Sequence, residues 1–344
     1  MTQPETIEVR VVEVVRETAE AHSLVVAPVG EGRFGYRPGQ FLTVRVPTTG
    51  GEGVARCYSL SSSPLHGERP KITVKRTEGG YGSNWICDNV TEGDVLEVLR
   101  PSGVFTLEDP DEDLLLFAGG SGITPIMSIL KSCLHGGTGE VTLVYANRDE
   151  ESVIFRDELT ALSREYGDRL SVVHWLESVQ GRPTAASVRH MARHHIDRRA
   201  FVCGPEPFMA LLGEALTDLG MPSGRVHVER FFSLSTDPFA AGPAVPAEPV
   251  DGPTSTVEVE LDGERHTLDW PRRSHLLDVL LAAGVDAPYS CREGACSACA
   301  CVLLEGEVEM DNNEVLDKTD LADGIVLACQ SVPLSERLKV TYDG

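Results

Sequence analysis

The sequence predicts a multi-domain protein: an antiparallel β-barrel, then an α/β unit built on a parallel sheet, then a smaller α+β unit. Three observations predict it. Short runs alternating apolar with polar residues fill positions 7 to 108, with Gly and Pro at their joints. From Asp113 the strands become continuously apolar and alternate with helices, the pattern of a parallel sheet covered on both faces. A proline-rich stretch then sets off a carboxyl-terminal unit of about ninety residues, enough to fold independently. The length of 344 residues exceeds what one hydrophobic core usually serves.

In the first unit the strand-like runs are IEVRVVEVV, SLVVAP, FLTVRVP, RCYSLSS, KITVKR and DVLEVLRP, with one helix after the turn Glu78–Gly82 and Ser83 as its expected N-cap. The second reads strand LLLFA, turn GGSGITP, helix IMSILKSCL, strand VTLVYAN, a helix around FRDELTALSREY, strand LSVVHWL, a helix near SVRHMARHH and strand AFVCGP. Residues 240–253 hold four prolines and no apolar periodicity, so they read as a semi-extended tether. After it come strands TVEVELDG and RHTLDWP, helix SHLLDVLLAAG, a cysteine loop, and strands ACVLLEGEVEM, IVLACQSVP and LKVTYDG. The expected boundaries are 1–110, 111–234, a linker at 235–253, and 254–344.

Fifty-three acidic against thirty basic residues, a formal −23, exclude binding to nucleic acid or anionic lipid by long-range attraction. Residues 254–344 hold eighteen acids and seven bases, so the charge is densest there and a charged partner of this unit would be basic. No apolar run is long enough to span a membrane and MTQPETIEVR lacks the features of a signal peptide, so a cytoplasmic location is expected.

Nine cysteines, an odd number, argue against a disulfide framework. Cys291-x₄-Cys296-x₂-Cys299, followed far downstream by Cys329, is the spacing of a plant-type [2Fe–2S] site. A zinc ribbon would use two Cys-x₂-Cys pairs, and only one is present. Small residues in SCREGACSAC let backbone N–H groups approach sulfur, and Cys301 is expected to pack beneath the loop as a non-ligand.

Further upstream, alternation along RCYS sends Arg56 and Tyr58 to one face, where a guanidinium meets pyrophosphate and a phenol ring lies against a flat heterocycle; Ser59 then offers a hydroxyl at the ring edge. By itself an Arg-x-Tyr strand is more often an ordinary cross-strand pair, but Gly80, Gly82 and Ser83 opening a helix add a phosphate-binding element. Gly119, Gly120, Gly122, Thr124 and Pro125 lie between a buried strand and a helix, where dinucleotides bind, although a plain tight turn also fits. Cys203-Gly204-Pro205 stands at another strand's carboxyl end, at the mouth of the same crevice. His190 and His194, four apart, read as a solvated helix face rather than metal ligands.

The order RCYS, GGSGITP, CGP, CREGACSAC resembles the ferredoxin–NAD(P)+ reductase superfamily fused to a carboxyl-terminal plant-type ferredoxin of β-grasp fold, over nearly the whole chain. Within it, YANRDEESVIF, HWLESVQG and SLSTDPFAA are similar to the reductase components that serve 3-ketosteroid 9α-hydroxylases. The resemblance implies FAD at Arg56, Tyr58 and Ser59 with its pyrophosphate at Gly80, Gly82 and Ser83. It implies a nicotinamide nucleotide at Gly119, Gly120, Gly122, Thr124, Pro125, Gly204 and Pro205, Cys203 beside the nicotinamide, and Glu229 and Phe231 (next to Phe232) over the flavin.

The same resemblance implies an oxidoreductase passing electrons from NADH through FAD and a [2Fe–2S] cluster to a separate, Rieske-type oxygenase that meets the acidic ferredoxin unit, in steroid catabolism, with the reductase itself a monomer. Asp149 disfavours the 2′-phosphate of NADPH whereas Arg148 attracts one; NADH is the expected donor. Two alternatives stay open: a reductase for an aromatic-ring or phenylacetyl-CoA oxygenase, and a redox-sensing module.

Overall fold

A computed structural model describes residues 6–30, 35–48, 50–51, 53–231, 233–234, 237–239, 253–316 and 318–343. Residues 240–252 of the expected tether, and Phe232, lie outside the described residues.

The amino-terminal strands β1 (Thr6–Arg16), β2 (Ala21–Pro28), β3 (Phe41–Val46), β4 (Val54–Ser59), β5 (Lys71–Lys75) and β6 (Val95–Leu99) form one antiparallel sheet in the order β4-β3-β6-β1-β2-β5. Its ends meet through a Leu60–Ile72 bridge and a Ser61 N–H donated to the Lys71 carbonyl at 2.7 Å, so the barrel nearly closes. Period-two alternation drives Val9, Val11, Leu24, Val26, Leu42, Val44, Val74 and Val98 into its interior. Helix α1 (Tyr81–Asn89) follows β5. It starts three residues earlier than the sequence suggests: Gly80 is the N-cap, and Ser83 lies within the first turn, where its buried hydroxyl accepts the Thr77 N–H at 3.0 Å.

The second unit runs β7 (Leu114–Gly119), α2 (Ile123–Gly136), β8 (Val141–Asn147), α3 (Arg156–Glu165), β9 (Leu170–Leu176), α4 (Glu177–Gln180), α5 (Ala185–Ala192), β10 (Arg199–Cys203), α6 (Glu206–Asp218) and β11 (Val226–Glu229). The sheet is parallel throughout, in the order β11-β10-β7-β8-β9. Central β7 is buried along its whole length because both faces are covered: Leu114, Leu116 and Ala118 pack with α2 and α3, Leu115 and Phe117 with α5 and α6. His194 falls beyond the end of α5, so it shares no helix face with His190; Arg193 Nε donates to its Nε2 at 2.9 Å.

Barrel and parallel sheet are tied by buried polar contacts. Lys131 of α2, 1% exposed, meets Glu68 at 2.7 Å and Glu158 at 2.9 Å, and Lys71 shares Glu158 at 3.0 Å. A cation is tolerated in such a place only when paired.

The carboxyl-terminal unit comprises β12 (Thr254–Leu261), β13 (Glu264–Pro271), α7 (Leu276–Ala282), β14 (Ala300–Glu305), β15 (Val308–Met310), α8 (Lys318–Ala322), β16 (Ile325–Leu327), β17 (Ser331–Pro333) and β18 (Arg337–Thr341). Its mixed sheet, β13-β12-β18-β14-β16, pairs β12 with β18 in parallel, and α7 buries Leu276, Leu277 and Leu280 against Trp270, Val257 and Val340. Asp262 and Gly263, both at positive φ, make the two-residue turn between β12 and β13.

Candidate functional site

The cysteine loop lies between α7 and β14. Cys291, Cys296, Cys299 and Cys329 are all buried and joined by sulfur contacts: the Cys291 N–H donates to Cys296 Sγ at 3.3 Å and the Cys329 N–H to Cys299 Sγ at 3.4 Å. Arg292, Gly294 and Ser297, all at positive φ, curl the chain so that the Glu293 and Ala295 N–H groups point at Cys291 Sγ, at 3.4 and 3.3 Å. Hydrogen bonds from Cys296 and Cys329, then from those amides, hold the Cys291 thiol well below its ordinary range. Among the described residues no three His, Cys, Asp or Glu side chains are arranged for a single metal ion. The four cysteines instead form one connected set, Cys291 meeting Cys296 and Cys329, and Cys329 meeting Cys299. That donor set, soft and ringed by amides, fits a two-iron, sulfide-bridged cluster. Arg292 anchors the loop on Asp278 at 2.5 Å. Cys301, the second residue of β14, is buried in the core beneath the loop, and burial raises its thiol.

On β4, alternation separates two sets of side chains. Arg56 and Tyr58 share one face. Arg56 lies along the first turn of α1, so close that a Cβ at Gly82 would sit 2.8 Å from Arg56 Cγ. The Tyr58 ring packs beside the barrel core while its buried hydroxyl has no hydrogen-bond partner, and burial pushes its pKa upward. A guanidinium at a helix amino terminus and an unsatisfied phenol suit an anionic ligand with a flat ring, as FAD is. Ala55, Cys57 and Ser59 occupy the opposite face of the strand.

At the carboxyl edge of the parallel sheet, the GGSGITP and CGP turns interlock. A Cβ at Gly122 would fall 2.2 Å from the Cys203 carbonyl oxygen, and one at Gly119 2.9 Å from Pro205 Cδ. Thr124 is buried and its hydroxyl donates to the Ser121 carbonyl at 3.1 Å, so it shapes the turn; Pro125 is buried in the first turn of α2. Cys203 lies beside Glu229 in the β10–β11 register, buried, its thiol raised by desolvation and then by Glu229. The Asn147 amide, at the end of β8, is buried without a partner of good hydrogen-bond geometry. Lys75, ending β5, points at Gly120 across the unit boundary. Lys75 is absent from the sequence-derived candidates, although the run VKR just before EGGYGS was a signal for it.

These regions converge. One narrow cleft is lined by Phe41, Cys57, Ser59, Glu229, Arg230, Phe231 and Cys296, drawing on all three units. Desolvation raises the half-buried Glu229 carboxyl to about 8. Beside the cleft the cysteine loop packs on the outer face of β3 and β4, with Phe41, Ala55 and Leu99 against Cys291, Ala295, Cys296 and Ala298. Thr43 and Ser290 share a hydroxyl hydrogen bond of 2.7 Å, Cys57 Sγ lies 3.6 Å from the Ser290 hydroxyl, and Arg100 pairs with Asp286 at 2.9 Å. Burial lifts the Cys57 thiol to about 11. Thr43 and Ser290 escaped the sequence reading, though a threonine on the outward phase of FLTVRV hinted at a covered face.

Three family models match in order: an oxidoreductase FAD-binding domain over residues 9–107, an oxidoreductase NAD-binding domain over 116–213, and a 2Fe-2S iron-sulfur cluster binding domain over 259–334. The 3-ketosteroid-9-alpha-monooxygenase ferredoxin reductase component of Rhodococcus rhodochrous is 56% identical over 332 residues, 96% of this chain and 95% of that protein. The chain belongs to this family of ferredoxin reductase components. It is thus an oxidoreductase with FAD-, NAD- and [2Fe–2S]-binding domains, the reductase component of a monooxygenase system. A component of the Escherichia coli 1,2-phenylacetyl-CoA epoxidase is more distant, 33% identical over 361 residues, 97% of this chain and 96% of that one. Phthalate dioxygenase reductase, a modular structure for electron transfer from pyridine nucleotides to [2Fe–2S], superposes with a TM-score of 0.57 at 27% identity over 98% of each chain.

Proposed function

We propose that this reductase component takes electrons from NADH and delivers them, through FAD and a [2Fe–2S] cluster, to a separate terminal oxygenase of 3-ketosteroid 9α-hydroxylation. The observation that carries the reading is the shared cleft: Ser59 and Phe41 from the barrel, Glu229 and Phe231 from the nucleotide unit, and Cys296 from the cysteine loop line one space. FAD held beside this cleft would supply the exchange between a two-electron donor and a one-electron cluster.

The chain's part is to bind, orient and exclude water. Arg56, Gly80, Gly82 and Ser83 hold the FAD pyrophosphate, Tyr58 lies along the flavin, and Ser59 donates to its edge. Gly119, Gly120, Gly122, Thr124 and Pro125, with Gly204 and Pro205, cradle the nucleotide; Arg148 stands at its far end. Cys203 and Glu229 flank the nicotinamide side of the cleft, Glu229 holding a proton at its carboxyl near neutral pH, and Phe231 closes the opening. Cys291, Cys296, Cys299 and Cys329 would hold the cluster, which would supply the one-electron step.

We read the domains as 1–110, 111–234 and 254–344 with a linker between the last two, the protein as a cytoplasmic monomer, and the acidic carboxyl-terminal domain as the oxygenase-facing surface. Among the described residues no helix is long and apolar enough to cross a membrane. The 3-ketosteroid reading is favoured over a phenylacetyl-CoA partner by the difference between 56% and 33% identity.

Anaerobic NADH is expected to bleach the flavin band and then the cluster band, and the reduced protein to support product formation by a purified 3-ketosteroid 9α-oxygenase. That coupling should weaken with salt as the screening length falls below about 10 Å. No bleaching would leave a redox sensor. Bleaching with transfer only to an aromatic-ring or phenylacetyl-CoA oxygenase would reassign the partner.

A further inference from the structure

In a dinucleotide fold the segment after the second strand meets the adenosine ribose, where an acid accepts from the 2′-hydroxyl or an arginine takes a 2′-phosphate. Here that segment is Arg148-Asp149, directly after β8, and its two charges oppose each other in any reading of specificity. The structure shows that neither is idle. The Asp149 carboxylate accepts the Ser152 N–H at 2.9 Å and its hydroxyl at 2.6 Å, which fixes it in the turn. Arg148 Nη2 donates to Glu20 Oε2 at 2.6 Å, and Glu20 belongs to the barrel, in the turn between β1 and β2.

The Glu20 turn is itself held: its carbonyl accepts the Arg76 N–H at 2.8 Å, and its N–H donates to Thr18 Oγ1 at 3.1 Å. Lys75, a further cation nearby, lies beside Gly120 of the GGSGITP turn and within electrostatic reach of Glu20, Arg148 and Asp149.

We infer that Glu20 is a specificity-determining residue: by occupying Arg148 from the neighbouring domain, it denies NADPH the guanidinium that its 2′-phosphate would need. A 2′-phosphate approaching Arg148 must displace a carboxylate and then remain beside it, whereas the 2′-hydroxyl of NADH carries no charge and meets no such repulsion. Specificity arises from an unfavourable contact for the wrong ligand. The pair is exposed, 61% and 47%, so the effect is about tenfold rather than thousands. The inference rests on the reading that NADH binds at this edge of the sheet.

The test uses the holoprotein with Glu20→Gln, Glu20→Ala and Glu20→Gln/Arg148→Met. Calorimetric titrations with adenosine 2′,5′-bisphosphate and 5′-AMP give an affinity ratio that needs no turnover. The ratio is expected to rise about tenfold in both single variants and to return to the starting value in the double variant. The ratio of kcat/KM for NADPH over NADH, with ferricyanide as acceptor, should follow it. An unchanged affinity ratio, an equal gain for both nucleotides, or a gain that survives loss of Arg148 would each overturn the role of Glu20. If 5′-AMP does not bind the parent protein or NADH does not reduce it, the underlying reading fails instead, and the two failures are distinct.

Discussion

The contact between Thr43 and Ser290 gives the sharpest test of how the cysteine loop is held against the barrel. Both residues are 1% exposed or less, and their hydroxyls share a 2.7 Å hydrogen bond across 247 residues of chain. Thr43→Val keeps the shape of the side chain and leaves the Ser290 hydroxyl buried with only the Cys57 sulfur, 3.6 Å away. An orphaned buried hydroxyl costs about 1–3 kcal/mol, so the docking equilibrium should fall by roughly five- to 160-fold. Removing both hydroxyls in Thr43→Val/Ser290→Ala leaves only the Cys57 thiol, a weak hydrogen-bonding group, without its hydroxyl neighbours, and most of the loss should be recovered. The apolar contacts of Phe41, Ala55 and Ala298 persist in both variants, and the exposed Arg100–Asp286 pair is worth at most about 1 kcal/mol. Hydrogen exchange of residues 288–299 in the holoprotein reads docking directly, and anaerobic stopped-flow compares the delay between flavin and cluster bleaching. Faster exchange and a longer delay in the single variant, reversed in the double, are expected. Additive damage in the double variant, or no change in the single, would refute the reasoning.

The Glu229 carboxyl, lifted to about 8 by burial, binds a proton more tightly folded than unfolded, so stability is full below pH 4.5 and declines as pH rises from there to about 8. Glu229→Gln should therefore match the parent melting temperature near pH 4.5 and exceed it increasingly toward pH 8.5; a constant difference would mean the carboxyl is solvated. Gly122→Ala would drive a Cβ to 2.2 Å from the Cys203 carbonyl, and urea unfolding should show a loss of about 3 kcal/mol, whereas a loss under about 0.5 kcal/mol would show that the two turns do not interlock. Cys301→Ser should retain the cluster's electron paramagnetic resonance signal, because Cys301 packs in the core below the loop; loss of the signal would make it a ligand.

Strands were legible wherever burial is one-sided or complete. The period of two in IEVRVVEVV and the unbroken LLLFA each report the environment of their own strand, and β1 and β7 form there. Helix α6 was equally readable, with Met209, Leu212, Ala215 and Leu216 at helical spacing behind a proline in its first turn, yet it is absent from the expected elements, as is β11. Ser83 misled because serine favours N-caps, whereas Gly80 takes the extended backbone that ends the turn and Ser83 binds back to Thr77. His194 misled because an i, i+4 spacing implies a shared face only while the helix lasts.

The cysteine spacing, the alternation that pairs Arg56 with Tyr58, and the small residues of the two interlocking turns are properties of contiguous chain, and the sequence by itself determined them. Periodicity says which residues share a face and is silent on what that face meets. Only the tertiary structure decided that the far side of β4 is roofed by the cysteine loop, that Ser59, Glu229 and Cys296 line one cleft, and that Arg148 is held by Glu20. Each of these depends on how separately folded units pack, and side chains 128 or 247 positions apart leave no local pattern in either segment.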